Sequence, residues 1–467
     1  MDTLPQALQY GASQSQARIA RQTVRPLGAD NGSAGQTVRF DLPAKSIVDL
    51  RSLSLYYNLS LSKLTTTAAD ATAFSNAQFP ASYKHWRSVR FYVSGVLASG
   101  GACNHYDQVA HALVAATGSE DWAYSRMNNA YDEYFESTEL TASPTIVGGL
   151  GAGTFVAGAD ATANSSKSLY MTFDDILGLP NTKNFCLDTS LFGTVSVELQ
   201  FNDESMLKMS YRGAPGVDGP AQTAIRNNIK AAFSDIRLCV NTVVSISPLY
   251  VSLLSARISG SDQPIRIPFQ QLISQHAANT GSNRLTVNSS CVDALLVVPF
   301  INDPNLTTAA SNVTVYNAVV ANNFRYKYAV NAAAAAAANF SVSVGSEQFP
   351  RQPVQNWRDC ADITTNSVYG NSIKSTNALY TSMSAIGAPV YGRNNYLNER
   401  AICLLGFGLE SEGWASGKLT GLDTAQTAVD IVVNSSGAGL ASHLLLVAMC
   451  TSCLVFDPKT SAVSVEM

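Results

Sequence analysis

Five histidines and eight cysteines are the residues whose types suit metal or nucleophilic chemistry in this 467-residue chain. Their spacing supports little of it. His85, His105, His111, His276 and His443 form no H-E-x-x-H and no pair four apart on a helix; His105 and His111 are six apart, on different helix faces. Cys450-x-x-Cys453 has the count of half a zinc site. No second pair accompanies it, and it falls inside the apolar run HLLLVAMCTSCLVF, where buried and inert thiols are expected. Gly149-x-Gly151 lacks the third glycine of a dinucleotide fingerprint, and no helix pattern follows it. Gly417-Lys418 is followed by Leu419 instead of the Ser or Thr of a phosphate loop, and no G-x-S-x-G occurs. The acid pairs Asp174 with Asp175 and Asp132 with Glu133 read as solvated or helix-capping residues. The expectation is no catalytic residue, no cofactor and no metal: a protein that is not an enzyme.

Composition narrows the class further. Lys plus Arg is 30 and Asp plus Glu is 34, so no overall positive charge advertises nucleic-acid binding. Charged residues make up only 14% of the chain, against ~25% in an average soluble protein. Such a chain either has a neutral Ser/Thr/Asn surface or buries much of its surface in an assembly. The start, MDTLPQALQYGASQSQ, has neither a basic region nor an apolar stretch, so no secretory leader is expected. Apolar runs such as residues 444–450 fall short of the ~20 residues of a membrane helix. Cysteines scattered among apolar neighbours fit reduced thiols in a protein made inside a cell. Sequons at Asn58, Asn164, Asn305 and Asn339 are expected by chance in a chain this rich in Asn, Ser and Thr.

The length favours two domains of ~200 residues each. Residues 36–64, QTVRFDLPAKSIVDLRSLSLYYNLSLSKL, alternate apolar with polar residues, with a slip in phase near Asp49. Pro43 divides them into two strands read as one antiparallel sheet, with residues 43–46 turning between. Before them, residues 1–35 read as an arm carrying Arg18, Arg21 and Arg25, either solvated or ordered against a neighbour. Further strands are expected at 86–96, 168–173, 194–201 and 235–245. Helices are expected at 103–116, with 121–134 continuing it, and at 221–233 through Ile225, Ile229 and Phe233. Residues 65–82 and 141–167 read as loops, with a flexible GGLGAG turn at 148–153.

The signals then begin again. Residues 265–269, IRIPF, parallel 38–42, and 292–300 parallel the long second strand. Strands at 324–330, 340–344, 401–407, 429–433 and 443–456 follow, with a helical insertion at 365–385. Residues 345–354, GSEQFPRQPV, read as a turn with two prolines around Arg351. The seven alanines 332–338 fit a short helical turn or a neutral loop equally. A duplicated all-β unit results, hinged near 246–262, with no residue-by-residue repeat evident.

The pattern F-x-L-P, I-V-D-L and Y-Y over residues 40–57 resembles the start of the double jelly-roll major capsid proteins of polinton-like viruses, virophages and adintovirus-type elements. GSEQFPRQPV, YLNERAICLLGFGLE, GLDT at 421–424 and a long last strand add to the resemblance. It implies an all-β fold of two jelly-roll β-sandwich domains in tandem, with helical and loop insertions. The divisions are an arm at 1–35, a first jelly roll at 36–246, a linker near 247–261 and a second jelly roll at 262–467. It implies a homotrimeric, pseudo-hexagonal capsomer of an icosahedral double-stranded DNA virus, assembled in the host cell and found in the virion. Its partners would be neighbouring capsomers, penton and minor capsid proteins, with packaged DNA met only indirectly and no small-molecule substrate. Residues 141–167 and 302–323 would be outward or intercapsomer loops. Two other readings stay open: a minor capsid or spike protein, and a carbohydrate-binding jelly roll using Trp86, Trp122, Trp357 and Trp414 as stacking platforms.

Overall fold

The computed structural model describes residues 19–63, 77–78, 85–99, 106–107, 109, 165–173, 186–202, 210–211, 229–243, 264–300, 339–354, 384–385, 388–389, 403–407, 421–425, 430–436 and 443–466. In the first half these form β1 (Ile19–Val24), β2 (Thr37–Asp41), β3 (Ile47–Lys63), β4 (Ala77–Gln78), β5 (Trp86–Val93), β6 (Val96–Ser99), β7 (Ser165–Thr172) and β8 (Cys186–Asp188). The helix α1 (Thr189–Phe192), then β9 (Val195–Phe201), β10 (Ser210–Tyr211) and β11 (Ile229–Val243), complete it. The second half begins with β12 (Ile265–Ala278), β13 (Ser282–Leu285), β14 (Val292–Phe300), β15 (Asn339–Val344) and β16 (Glu347–Val354). It continues with β17 (Ser384–Ala385), β18 (Ala388–Pro389), β19 (Cys403–Gly406), β20 (Ile431–Ser436), β21 (His443–Asp457) and β22 (Ala462–Glu466).

Strand order repeats between the halves. The first half has sheets β1-β11-β3-β7, with β8 also on β3, and β2-β9-β5-β6. The second has β12-β21-β14-β19, with β22 also on β21, and β13-β20-β15-β16. Replacing β1, β2, β3, β5, β6, β7, β9 and β11 by β12, β13, β14, β15, β16, β19, β20 and β21 converts one pair of sheets into the other. Every pairing is antiparallel, and the main strands pass from one sheet to the other except at the hairpins β5-β6 and β15-β16, as in a jelly roll. Two-residue ladders join β4 to β10 and β17 to β18.

The alternation in β3 puts Leu53, Leu55, Tyr57 and Leu59 in the core and turns Tyr56 and Asn58 outward. The slip near Asp49 is a bulge: Ser54 pairs with Cys239 and Asp49 with Asn241, so the residues between have only Val240 opposite. Asp49 Oδ1 accepts the Arg51 amide at 3.0 Å, and Ser52 Oγ accepts the Asn241 amide at 2.7 Å, replacing the broken ladder. In the core, Trp86 stacks on Phe201 at 4.6 Å between centroids, and Phe201 on Phe233 at 4.2 Å. The chain between β1 and β2 crosses this cluster at Gly32, whose amide and carbonyl bond Phe233 at 3.0 and 2.9 Å. A Cβ at Gly32 would collide with the Phe201 ring, so glycine alone lets the backbone pass.

Several expectations are corrected. β2 and β3 do not share a sheet: β2 pairs with β9, while β3 pairs with β11, β7 and β8. The 43–46 turn therefore carries the chain across the sandwich, with Lys45 at φ 51°. Residues 19–24, taken as part of the arm 1–35, form β1 against β11. It follows that the counterpart of 265–269 is β1, not 38–42. Ile229 and Phe233 lie on a strand, not a helix. A spacing of four residues fits both the helical period and an even strand period, and packing of Phe233 on the aromatic cluster decides for the strand. Residues 347–354 form edge strand β16 where a turn was expected; two prolines are tolerated there because an edge strand has one unpaired side. Residues 384–385, assigned to a helical insertion, are strand β17. Tyr106, Asp107 and Val109 of the expected 103–116 helix are helical. The expected linker at 247–261, the segments 121–134, 141–164 and 302–338, and the rest of the 365–385 insertion lie outside the described residues.

Candidate functional site

Two matching clamps hold the halves in shape. Leu187-Asp188-Thr189 and Leu422-Asp423-Thr424 each precede the strand that enters the second sheet of its half. In the first, the Thr189 amide donates to Ser46 O at 2.9 Å. Thr189 Oγ1 donates to Ser46 O or Pro43 O, each at 2.9 Å, and accepts the Ser46 amide at 3.0 Å. In the second, the Thr424 amide donates to Ser289 O at 2.9 Å. Thr424 Oγ1 donates to the same oxygen at 3.0 Å and accepts the Ser289 amide at 3.1 Å. Each aspartate Oδ1 accepts the amide two residues on, Ser190 or Ala425, at 2.9 Å. The leucines pair with the start of the long strand, Leu187 with Val48 and Leu422 with Val292. Gly421 must lack a side chain, since a Cβ would lie 2.6 Å from Val292 O and 2.8 Å from Cys291 Sγ. The repeated L-D-T is the sequence signal of this pair, of which the family resemblance includes only GLDT at 421–424.

The first clamp leads directly to the junction of the halves. Phe192, at the end of α1, packs edge-on against Phe456 of β21 at 5.6 Å between centroids, and β22 runs beside β6. One contiguous apolar core contains residues of both halves. In the sheet that meets the first half, the central strands β14 and β21 are buried on both faces over residues 292–298 and 444–452. This explains why those strands read as unbroken apolar runs. The corresponding sheet of the first half keeps one face outward. On that face Tyr56 pairs with Arg237 on one side and Tyr170 on the other. Tyr56 stacks on Tyr170 at 5.7 Å, and the guanidinium groups of Arg21 and Arg237 each lie 5.9 Å from the Tyr56 ring centre. Arg21 also donates to Tyr56 Oη at 3.0 Å and Ser54 Oγ at 3.4 Å.

The residues singled out for chemistry are scattered. Cys450 and Cys453 are three apart on β21, so they point to opposite faces of the sheet and cannot bind one ion. Burial, then the charges of Asp293 and Cys291, push the Cys450 thiol up to about 12, against a lowering hydrogen bond with Ser289. A thiol with that pKa is not a nucleophile near neutral pH. Asp293 is buried beside it, accepting from Thr451 Oγ1 at 2.6 Å and from Cys291 Sγ at 3.3 Å. His85 is buried with Nδ1 2.7 Å from Tyr57 Oη, and His276 is half-buried on β12. Asp41 pairs with Arg39 at 3.4 Å, and Asp49 caps the β3 bulge, so both are structural. No group of three His, Cys, Asp or Glu among the described residues is arranged to hold a metal ion. Trp86, offered as a sugar platform, is 0% exposed within the core and has no face free for stacking. Trp122, Trp357, Trp414, His105, His111, the acid pairs and both glycine motifs lie outside the described residues.

No family model and no curated protein matches the chain. Solved structures do. The capsid protein in the quasi-atomic model of the PBCV-1 virus capsid is 11% identical with a TM-score of 0.53, over 95% of each chain. The fold is the double jelly roll. The Faustovirus major capsid protein matches at 10% identity and a TM-score of 0.51, over 94% of this chain and 91% of that one. The protein in the cryo-electron microscopy structure of the Sputnik virophage matches at 11% and 0.51, over 96% and 88%. At such identities the double jelly roll is shared while individual side chains are not, so the function must be argued from the arrangement of this chain.

Proposed function

We propose that this chain is a major capsid protein, a structural subunit of the icosahedral shell of a double-stranded DNA virus. The observation that carries the reading is the pair of jelly rolls with the same strand order, set against one another within one chain through Phe192 and Phe456. Three such chains in a ring bring six similar rolls around one axis, giving a near-hexagonal outline that tiles a closed shell. The fold-level likeness to viral capsid proteins over nearly the whole chain supports it. A low charge content suits broad lateral contacts, which bury on the order of 2,000 Å² or more in permanent assemblies. The subunit would act by assembly alone, with neighbouring capsomers, penton and minor capsid proteins as partners, packaged DNA met indirectly and no small-molecule substrate. Its place is the virion, with assembly inside the host cell.

Light scattering after size exclusion tests this. The chain is 49.6 kDa, so a trimer runs at about three times that mass. Trimers, with hexagonal particles in micrographs, are expected. A chain that stays monomeric at high concentration and forms no such particles refutes the reading.

A further inference from the structure

The second half carries one strand that the shared plan does not need. β14 pairs with β21 over residues 443–450 and goes no further, while β21 runs on to Asp457. Beside that overhang lies β22, in register from Cys453 with Glu466 to Asp457 with Ala462. In the first half β11 ends at Val243, opposite Ile47 at the start of β3, so no overhang arises, and no described strand corresponds to β22. Yet among the described strands the most extensive approach between the two rolls is that of β22 to β6. Phe456, the ladder partner of Val463, is also the residue that meets Phe192.

The anchorage of β22 is light. Val463 and Val465 are half-buried against the core, and Ala462, Ser464 and Glu466 are exposed. The tie from Arg266 to Glu466, at 3.3 Å, joins two side chains more than half exposed, where such pairs contribute little. The turn into the strand is held locally: Asp457 accepts the Lys459 amide at 2.9 Å and the Thr460 hydroxyl at 2.7 Å, and Ser461 takes φ 54°. We propose that β22 is a strap that fixes the angle between the two rolls by fastening the end of β21 to β6, and that it can come away while both rolls stay folded. A single ring-to-ring contact leaves rotation about itself, and a second attachment at β6 removes that rotation. The inference goes beyond the capsid reading, on which only its consequence for assembly rests. Rolls held at one angle lose less freedom on joining a ring, so a strapped subunit assembles at lower concentration.

The test compares the full chain with one ended at Pro458 and with full-length Val463→Asp/Val465→Asp, which keeps every residue of the strap but not its apolar side. Far-UV circular dichroism should match the parent in both, and amide exchange read by mass spectrometry should be unchanged in residues 53–59 and 294–298. Exchange in residues 453–456 and 96–99 should rise at least about tenfold. The concentration for half-assembly should rise by about tenfold. Unchanged exchange at 96–99 in both variants, or assembly at the parent's concentration, overturns the inference. So does loss of the folded spectrum in both, since β22 would then belong to the core of the second roll. Each of these results leaves the capsid reading standing. A parent chain that never assembles refutes the capsid reading alone, and exchange at 96–99 then decides for or against the strap.

Discussion

The clamp threonines give the most direct measure of the energetics proposed for the repeat. Thr424 and Ser289 are both buried, and the Thr424 hydroxyl is the acceptor for the Ser289 amide at 3.1 Å. Thr424→Val keeps the shape and removes the hydroxyl. Ser289 O retains the Thr424 amide, so the carbonyl is still bonded. The Ser289 amide loses its partner, at a cost of about 1–3 kcal/mol, in addition to about 1 kcal/mol for the lost hydroxyl-to-carbonyl bond. The sum is about 2–4 kcal/mol. Thr189→Val removes the acceptor of the Ser46 amide and the one hydroxyl proton that serves Ser46 O or Pro43 O, so the same range applies. Thr→Ser keeps the hydroxyl and loses one methyl group, costing about 1 kcal/mol. Urea denaturation followed by circular dichroism would show valine well below serine at both positions, with melting temperatures lowered by roughly 2–4 °C for valine in a chain of this length. Valine variants as stable as the parent, or no less stable than serine, would refute the assignment of these hydroxyls as the clamps.

Phe192→Ala and Phe456→Ala should each cost about 3–5 kcal/mol, and the double variant about 1 kcal/mol less than their sum, because the edge-on contact is lost only once; strict additivity in calorimetry would mean the rings do not couple the halves. Burial raises the Cys186 thiol to about 11 and the Cys450 thiol to about 12, so native protein at pH 8 should leave both unalkylated while unfolded protein labels fully, as read by peptide mass spectrometry. The same shifts set an alkaline limit. Below about pH 9 folded and unfolded thiols are both protonated and the stabilisation is complete; between 9 and 12 the unfolded chain releases protons that the folded one keeps, so stability falls as pH rises. A denaturation midpoint flat from pH 9 to 11 would count against it.

Much of the β architecture was legible. Alternation at Val38 and Phe40 and at Leu53, Leu55, Tyr57 and Leu59 marked strands because a side-chain period of two follows from the pleat alone. Even the bulge showed, as a slip in phase at Asp49. The unbroken apolar runs in β14 and β21 carried a signal as well, for central strands buried on both faces. The clamps were half legible: three residues repeat, but insertions of unequal length separate them, so no longer alignment draws attention to the pair.

Local pattern states which residues face inward; it does not say which strands become partners. β2 and β3 are neighbours in the chain and belong to different sheets, because ladder partners are chosen by long-range closure of the sandwich. Phe233 stood at a spacing common to helix and strand until the ring of Phe201 beneath it settled the matter. Arg21, Tyr56, Tyr170 and Arg237 are scattered over more than two hundred positions, and only the register of β1, β11, β3 and β7 sets them on one face. Residue types and periods follow from chemistry along the chain and were settled there. Adjacency between distant strands exists only once the sheets have closed.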